Sequence, residues 1–215
     1  RIAFLPRHGD GHIIPPHKIP FRANVWALMK LGVKRIIASS AVGSLRMDYE
    51  PGHFVITDQF IDRTRKRIDT FYEGGQICHI SAADPICPQL HGFFGVHAKK
   101  QGLTVHKEGT YVCIEGPRFS TRAESKLFRQ WGCDIIGMTM YPEVILAREA
   151  QICYVSVAMV TDYDVWADKP VSAAEVLETM EGNSANFKKL IMSGLTEIPD
   201  ERTCNCSNAL AGALY

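Results

Sequence analysis

The sequence of 215 residues has almost no excess of either charge, with 24 lysines and arginines against 23 aspartates and glutamates. Proteins that bind duplex nucleic acid usually carry a strong basic excess, so this class is not indicated. The chain also lacks an apolar run of the roughly 18 residues that a membrane-spanning helix requires, and no signal-peptide pattern opens it. We therefore expect neither nucleic acid nor a membrane among the partners, and we expect a cytoplasmic location.

Several motifs of enzymes and metal sites are missing as well. There is no GxxxxGK[ST] loop for a nucleoside triphosphate, and no GxSxG elbow that would make Ser120 and His8 a hydrolase pair. The seven cysteines include no CxxC pair of the kind that binds zinc. His8, His12 and His17 are separated by glycines and prolines that prevent a regular helix, which argues against a shared metal ion. We expect no metal and no organic cofactor.

The apolar pattern of the chain predicts short strands that alternate with helices, which is typical of an α/β fold. The predicted strands are Arg1–Leu5, Arg35–Ser39, Phe54–Phe60, Gly109–Glu115, Ile135–Met138 and Cys153–Thr161. The predicted helices are Pro20–Leu31, Ile86–Gln101, Thr121–Trp131, Pro142–Ala150 and Ser172–Glu197. Residues 1–199 are assigned to one domain and residues 200–215 to a polar C-terminal tail. Because Arg1 starts inside a predicted strand, we expect further residues to precede it in the whole protein.

The polar tail contains the sequence Cys204-Asn205-Cys206. Its polar neighbours offer no core in which a free thiol would be buried, so a redox or structural disulfide is indicated. A disulfide within a CxC sequence closes a small strained ring and is expected to be easily reduced. Cys113, Cys133 and Cys153 lie in apolar runs and are interpreted as buried small hydrophobic residues.

Polar segments follow the carboxyl ends of several predicted strands, which is where ligands bind in α/β folds. Arg7, the hydroxyls of Ser39, Ser40 and Thr139, and nearby backbone amides are the groups that bind a phosphate ion. The alternative is that Arg7 and His8 are solvated loop residues. The pattern predicts a phosphate site at one edge of the sheet.

Asp162 and Asp164 follow the last predicted strand at a spacing of two residues. If both side chains face the pocket, one protonated carboxyl can donate to a heteroaromatic nitrogen while the other accepts from an exocyclic amine. A carboxyl group in an apolar site can have the raised pKa that the first role needs. The alternative is an Asp cap before the turn at Val165–Pro170.

Segments distributed along the chain also resemble a known family. They are Pro6–Gly9, Ala23–Leu28, Gly43–Leu45, Asp58–Thr64, Glu115–Phe119, Met138-Thr139, Pro142-Glu143 and Thr161–Asp164. In this order they resemble the 5'-methylthioadenosine phosphorylase branch of the purine nucleoside phosphorylase superfamily, from the first residue to about residue 195. The Cys-Asn-Cys tail is similar to the CxC ending of the hyperthermophilic archaeal members.

The resemblance implies a mixed, distorted β-sheet flanked by helices, the nucleoside phosphorylase fold. It implies phosphorolysis of S-methyl-5'-thioadenosine to adenine and 5-methylthio-ribose 1-phosphate, with inorganic phosphate as co-substrate and no cofactor. Its partners would be the small-molecule nucleoside and phosphate. The archaeal members further imply a homotrimer or a homohexamer built from trimers, and a disulfide between Cys87 and Cys153.

Carried over by position, the resemblance implies a phosphate site formed by Arg7, His8, Ser40, Ala41 and Thr139. It implies a nucleoside site formed by Met138 under the ribose, by Phe119, Ser120, Asp162 and Asp164 around the purine, and by Ala173, Val176 and Leu177 over the 5'-methylthio group. His79 would reach the pocket of a neighbouring subunit. Asp162 would be the catalytic acid, which protonates N7 of the purine, and Asp164 would recognise the 6-amino group.

The sequence departs from the family in two places. The Gly-rich phosphate loop of the family would lie before Arg1, and Gly137 stands where some relatives have Asn. Three alternatives stay open at this point. A phosphorylase of 6-oxopurine nucleosides would have Asn in place of Asp162, a nucleosidase would use water and would not need Arg7, and a non-catalytic relative would only bind nucleosides.

Overall fold

The computed structural model describes residues 1–167 and 173–215, with the side chains of all of these except 173–178. The centre of the described part is a mixed sheet of seven strands in the order β3-β5-β6-β1-β7-β2-β4. The strands are β1 (Arg35–Ser44), β2 (Phe54–Ile56), β3 (Gln59–Arg63), β4 (Val105–His106), β5 (Thr110–Ile114), β6 (Ile135–Gly137) and β7 (Cys153–Tyr163). Strand β1 is parallel to β7 and antiparallel to β6, whereas β2 is antiparallel to β7. The observed mixed sheet confirms the prediction of an α/β fold that contains a mixed sheet.

Within the described residues, five α-helices flank this sheet: α1 (Phe21–Lys30), α2 (Pro88–Lys100), α3 (Arg122–Gln130), α4 (Glu143–Glu149) and α5 (Ala173–Glu197). Strand β7 is buried from Cys153 to Thr161 and is contacted by helices α2, α4 and α5. A strand that is covered on both faces needs apolar residues at successive positions, and the sequence 153–160 is largely apolar. Helix α3 begins with a capping box, because Thr121 accepts from the Glu124 amide and the Glu124 carboxylate accepts from the Thr121 amide.

The predicted strand Arg1–Leu5 is wrong. Residues 1–6 are irregular and pair with no strand among the described residues. The side chains of Ile2 and Phe4 are 69% and 92% exposed. Alternating apolar residues predict a strand only where a neighbouring strand can take up the backbone hydrogen bonds, and the described part of the chain puts none beside this segment.

The predicted strand Phe54–Phe60 is two strands at different places in the sheet. Strand β2 ends at Ile56 and lies between β7 and β4, while β3 begins at Gln59 and forms the opposite edge beside β5. Between β2 and β3, the Asp58 carboxylate accepts a 2.8 Å hydrogen bond from the Gly109 amide. This bond holds the chain at the point where it passes from one end of the strand order to the other. The short strand β4 has no counterpart among the predicted strands.

Strand β1 is longer than predicted, and it contains residues whose type favours a loop. It continues through Ser40 and Ala41 to Ser44, with a change of register between Val42 and Gly43. Beyond this irregularity Gly43 and Ser44 pair with Ile136 and Ile135 of the antiparallel strand β6. These small polar residues therefore form the strand that brings β6 and β7 together.

The C-terminal tail is packed against the domain. Cys206 is 9% exposed and Ala213 is 6% exposed, and the end of the chain pairs with Cys78 through a bridge at Leu214. The expectation that the tail cysteines have no core is therefore wrong for Cys206. All seven cysteines are free thiols in this structure, so the predicted disulfides are not confirmed. No helix in the described part of the chain is both long enough and apolar enough to cross a bilayer.

Candidate active site

Arg7 contacts the middle of β1 and is held there by Glu143. Its Nε and Nη2 atoms donate to the two carboxylate oxygens at 3.0 and 2.7 Å, and Nη1 donates to the Ser39 carbonyl at 2.6 Å. Burial by itself lowers the pKa of Arg7, but the Glu143 carboxylate outweighs this effect, so the pKa lies above its usual value. A guanidinium has five N–H bonds and these contacts use three of them, which leaves donors for an anionic ligand.

Ser40, in the strand that Arg7 contacts, and Thr139, which follows β6, come together. Their hydroxyl oxygens are 3.1 Å apart, although the residues are 99 positions apart in the sequence. The Thr139 amide donates to the Tyr111 hydroxyl at 3.3 Å, and burial raises the pKa of Tyr111 to about 12. Tyr111 is therefore protonated at neutral pH. Three neutral hydroxyls and one cation in a buried position are suited to a small oxyanion.

Asp162 and Asp164 lie near the end of β7, and both are held by hydroxyl groups. The Thr161 hydroxyl donates to Asp162 Oδ1 at 2.7 Å. Ser120 Oγ lies 3.3 and 3.2 Å from the two oxygens of Asp164, which is 3% exposed. Burial raises the pKa of Asp164. The structure thus brings together two residues that the sequence assigned to the purine, Ser120 and Asp164.

Gly43 provides space for the side chains of both aspartates. A Cβ atom at this position would be 3.0 Å from Asp162 Oδ2 and 3.4 Å from the Asp164 Cβ. Gly43 is also the register partner of Asp162, whereas Ser40 lies three residues earlier on the same strand. At about 3.3 Å per residue, the backbones of Ser40 and Gly43 are about 10 Å apart along β1.

The other predicted phosphate and ribose residues are distributed around this strand. His8 is half-buried; its Nδ1 lies 2.9 Å from the Ile14 carbonyl oxygen and its ring stacks on His12. Burial lowers the pKa of His8, so the ring is neutral at neutral pH. Ala41 is half-buried in β1, next to Ser40. Met138 follows β6, and its Sδ would be 2.6 Å from a Cβ at Gly116, whose φ of 68° favours glycine in that loop.

The remaining predicted residues are not placed in this pocket. Phe119 is 41% exposed. His79 is exposed on another segment, where its amide donates to the Ala213 carbonyl and its ring contacts Tyr215. The side chains of the residues predicted to cover the 5' group lie outside the described part of the structure: Ala173, Val176 and Leu177.

The predicted residues depend on supporting groups that the sequence did not reveal. Glu143 lies in one of the segments that resemble the family, but nothing local indicates that it holds Arg7 or that Tyr154 donates to its Oε1 at 3.0 Å. The sequence indicates Tyr111 only as one residue of the predicted strand Gly109–Glu115. Its position also explains Gly137, because a Cβ there would be 2.0 Å from the Tyr111 hydroxyl oxygen. No side chain can stand at residue 137 while Tyr111 is in place.

Comparisons with known proteins agree with this geometry. The model of the Phosphorylase superfamily matches residues 1–195. The chain is 58% identical over 214 residues to S-methyl-5'-thioadenosine phosphorylase of Thermofilum pendens, covering 100% of this chain and 82% of that protein.

Two solved structures are also similar. A methylthioadenosine phosphorylase from an Antarctic soil metagenomic library has a TM-score of 0.94 at 43% identity, over 99% of this chain and 76% of that one. The methylthioadenosine phosphorylase of Schistosoma mansoni in complex with adenine has a TM-score of 0.92 at 37% identity, over 97% of this chain and 81% of that one.

Proposed function

This chain belongs to the phosphorylase superfamily, and on that basis we propose that it catalyses the phosphorolysis of S-methyl-5'-thioadenosine. The products are adenine and 5-methylthio-ribose 1-phosphate, so the enzyme is a pentosyltransferase. The observation that carries the proposal is that a hydroxyl cluster lies at Ser40 of β1, close to Arg7, and that the side chains of Asp162 and Asp164 lie beside Gly43 of the same strand. The hydroxyl cluster and Arg7 bind phosphate, and the two aspartates recognise the purine base.

The phosphate half of the site prepares the nucleophile. Arg7 binds phosphate through its remaining N–H donors, and the hydroxyls of Ser40 and Thr139 bind further oxygens, with His8 and the backbone at Ala41 beside them. Glu143 keeps the guanidinium in one orientation through two hydrogen bonds, so little reorganisation is needed when phosphate arrives. One phosphate oxygen attacks C1' of the ribose, and the C1'–N9 bond to the purine breaks.

The base half of the site stabilises the leaving group. Negative charge develops on the purine as the glycosidic bond breaks, and a proton delivered to N7 neutralises it. Asp162 delivers this proton, and Asp164 accepts a hydrogen bond from the 6-amino group, positioned by Ser120. Met138 lies under the ribose, Phe119 borders the base, and Ala173, Val176 and Leu177 cover the 5'-methylthio group. This mechanism combines general-acid catalysis with electrostatic stabilisation.

The first test is whether adenine release depends on phosphate. With S-methyl-5'-thioadenosine in phosphate-free buffer we expect no release above background, and release should rise and saturate as phosphate is added. The other product should then be a sugar phosphate, identified by mass spectrometry. Adenine release with free 5-methylthioribose, independent of phosphate, would instead make the protein a nucleosidase. Binding of nucleoside without any release would make it a binding protein.

We also propose that the enzyme is a homotrimer, or a homohexamer of two trimers, in which His79 completes the pocket of a neighbouring subunit. His79 is exposed, and the apolar side chain of Ile77, two residues before it, is 59% exposed. An exposed apolar side chain beside an exposed histidine is suited to an interface between subunits, where aromatic and apolar residues are enriched.

Mixing two defective variants tests the shared pocket. His79→Ala subunits keep their own phosphate and base residues, and Arg7→Ala subunits still supply His79. After co-expression we expect activity several-fold above that of either variant alone, because some pockets then contain both residues. Activity equal to the average of the two variants, or a monomeric mass in solution, would contradict this arrangement.

A further inference from the structure

The side chain of Tyr111 reaches the phosphate half of the candidate active site from two strands away. Tyr111 lies on β5, and in the strand order β6 separates β5 from β1, which carries Ser40. The tyrosine crosses β6 at Gly137, where a Cβ atom would be 2.0 Å from the Tyr111 hydroxyl oxygen and 2.6 Å from its Cζ. The hydroxyl therefore reaches Thr139 only because residue 137 is glycine.

Tyr111 is fully buried, and its hydroxyl contacts polar groups of the phosphate site. It is 0% exposed, and its oxygen accepts a 3.3 Å hydrogen bond from the Thr139 amide. The hydroxyl groups of Thr139 and Ser40 also interact with it, and their oxygens lie 3.1 Å from each other. The mechanism above assigns phosphate contacts to Ser40 and Thr139 but gives Tyr111 no part in the reaction.

We propose that Tyr111 is a positioning residue of the phosphate site, which directs the hydroxyl protons of Ser40 and Thr139 towards phosphate without touching it. This inference rests on the proposed phosphorolysis. A hydroxyl group has one proton to donate and two lone pairs. The Tyr111 oxygen already accepts from the Thr139 amide, so its own proton is directed to a neighbouring hydroxyl oxygen. The hydroxyl that accepts it turns its proton away from Tyr111, towards the other hydroxyl or the bound anion.

The direction of these protons matters because the ligand is an anion. A hydroxyl that rotates freely can point either its proton or a lone pair at a phosphate oxygen, and only the proton is attracted. Burial raises the pKa of Tyr111 to about 12, so the proton that orders the cluster is present at neutral pH. In a chain of hydrogen bonds each donor also strengthens the next. Tyr111 thus prepares the neutral donors as Glu143 prepares the guanidinium of Arg7, and less reorganisation is needed when phosphate binds.

Tyr111→Phe tests the proposal, because it removes the hydroxyl and keeps the buried ring. We expect KM for phosphate to rise about 3- to 10-fold, the effect of one ordinary hydrogen bond, and KM for S-methyl-5'-thioadenosine to change less than about 2-fold. Both constants are measured from adenine release with the other substrate at saturation. Tyr49→Phe is the matched control, since Tyr49 is 7% exposed and its hydroxyl donates to the Glu108 carbonyl at 2.8 Å. It also loses a buried hydrogen bond, but both KM values should stay unchanged.

Double variants show whether Tyr111 acts through the two hydroxyls. In the Ser40→Ala or the Thr139→Val background, the effect of Tyr111→Phe on KM for phosphate should shrink to less than about 2-fold, because the group that it orients is gone. The proposal is overturned if Tyr111→Phe leaves KM for phosphate unchanged, raises both KM values equally, or keeps its full effect in both backgrounds. In these cases the wild-type enzyme still releases adenine in a phosphate-dependent reaction, so only this inference fails. A wild-type protein without phosphate-dependent release would overturn the proposed function as well.

Discussion

Replacing Asp162 by Asn is expected to lower the rate of adenine release from S-methyl-5'-thioadenosine by about 10²–10⁴-fold, the usual size of a general-acid contribution. An amide cannot give a proton to N7, so the purine must leave as an anion. The change should appear mainly in kcat, measured at saturating phosphate and nucleoside. Cleavage of inosine should fall much less, because an amide can donate to a 6-oxo group. Parental activity on S-methyl-5'-thioadenosine would show that Asp162 is not the acid.

Asp164→Asn is the matched control for this experiment. Both aspartate side chains lie close to Gly43, Asp162 through a carboxylate oxygen and Asp164 through its Cβ, and each carboxylate accepts a hydrogen bond from a hydroxyl group. If Asp164 recognises the 6-amino group, its amide variant should raise KM for the nucleoside more than it lowers kcat. A large loss of kcat in Asp164→Asn, with little loss in Asp162→Asn, would exchange the two roles. Burial already raises the pKa of Asp164, so that outcome has a physical basis.

The parts of the fold that could be predicted from the sequence are those with a local signal. The continuous apolar run of β7 and the polar start of helix α3 at Thr121 predict a buried strand and a helix, and the structure contains both. The polar residues 57–59 interrupt the segment 54–60, and it is there that the chain passes from β2 to β3 at the opposite end of the sheet. The small polar residues in 39–44 are of types that favour a loop, but this segment is a strand because it pairs with β6 and β7.

In the candidate site, too, the sequence reveals only residues that have a local signal. Arg7, Ser40, Thr139 and the two aspartates are polar residues beside predicted strands, and this pattern is visible in the sequence. Their supports are not visible, because Glu143 stands 136 positions after Arg7 and reaches it only through the packing of helix α4. The sulfurs of Cys87, Cys153, Cys204 and Cys206 lie within 4.8 Å of one another. The resemblance implies the pair Cys87 and Cys153, but no local pattern shows that the tail cysteines lie beside it.

Replacing Arg7 by Ala is expected to have two separate effects. It removes a charged donor to phosphate, and a hydrogen bond to a charged group is worth about 1.5–3 kcal/mol, so KM for phosphate should rise roughly 10- to 100-fold. It also leaves the Glu143 carboxylate buried without its cation, with a side chain only 7% exposed. Removing one partner of a buried ion pair costs about 3–5 kcal/mol of stability. Both are measurable, by steady-state kinetics and by denaturant unfolding.

The double variant Arg7→Ala, Glu143→Gln separates these effects. Neutralising the carboxyl removes the uncompensated buried charge, so part of the lost stability should return, while KM for phosphate stays high. Arg118→Ala is the surface control: its ion pair with Glu124 is exposed, so its removal should change the stability little and leave phosphate binding unchanged. If Arg7→Ala instead raises KM for phosphate and for nucleoside equally, Arg7 acts through the structure of the pocket. It would then not bind phosphate, and the nucleophile would need another binding group.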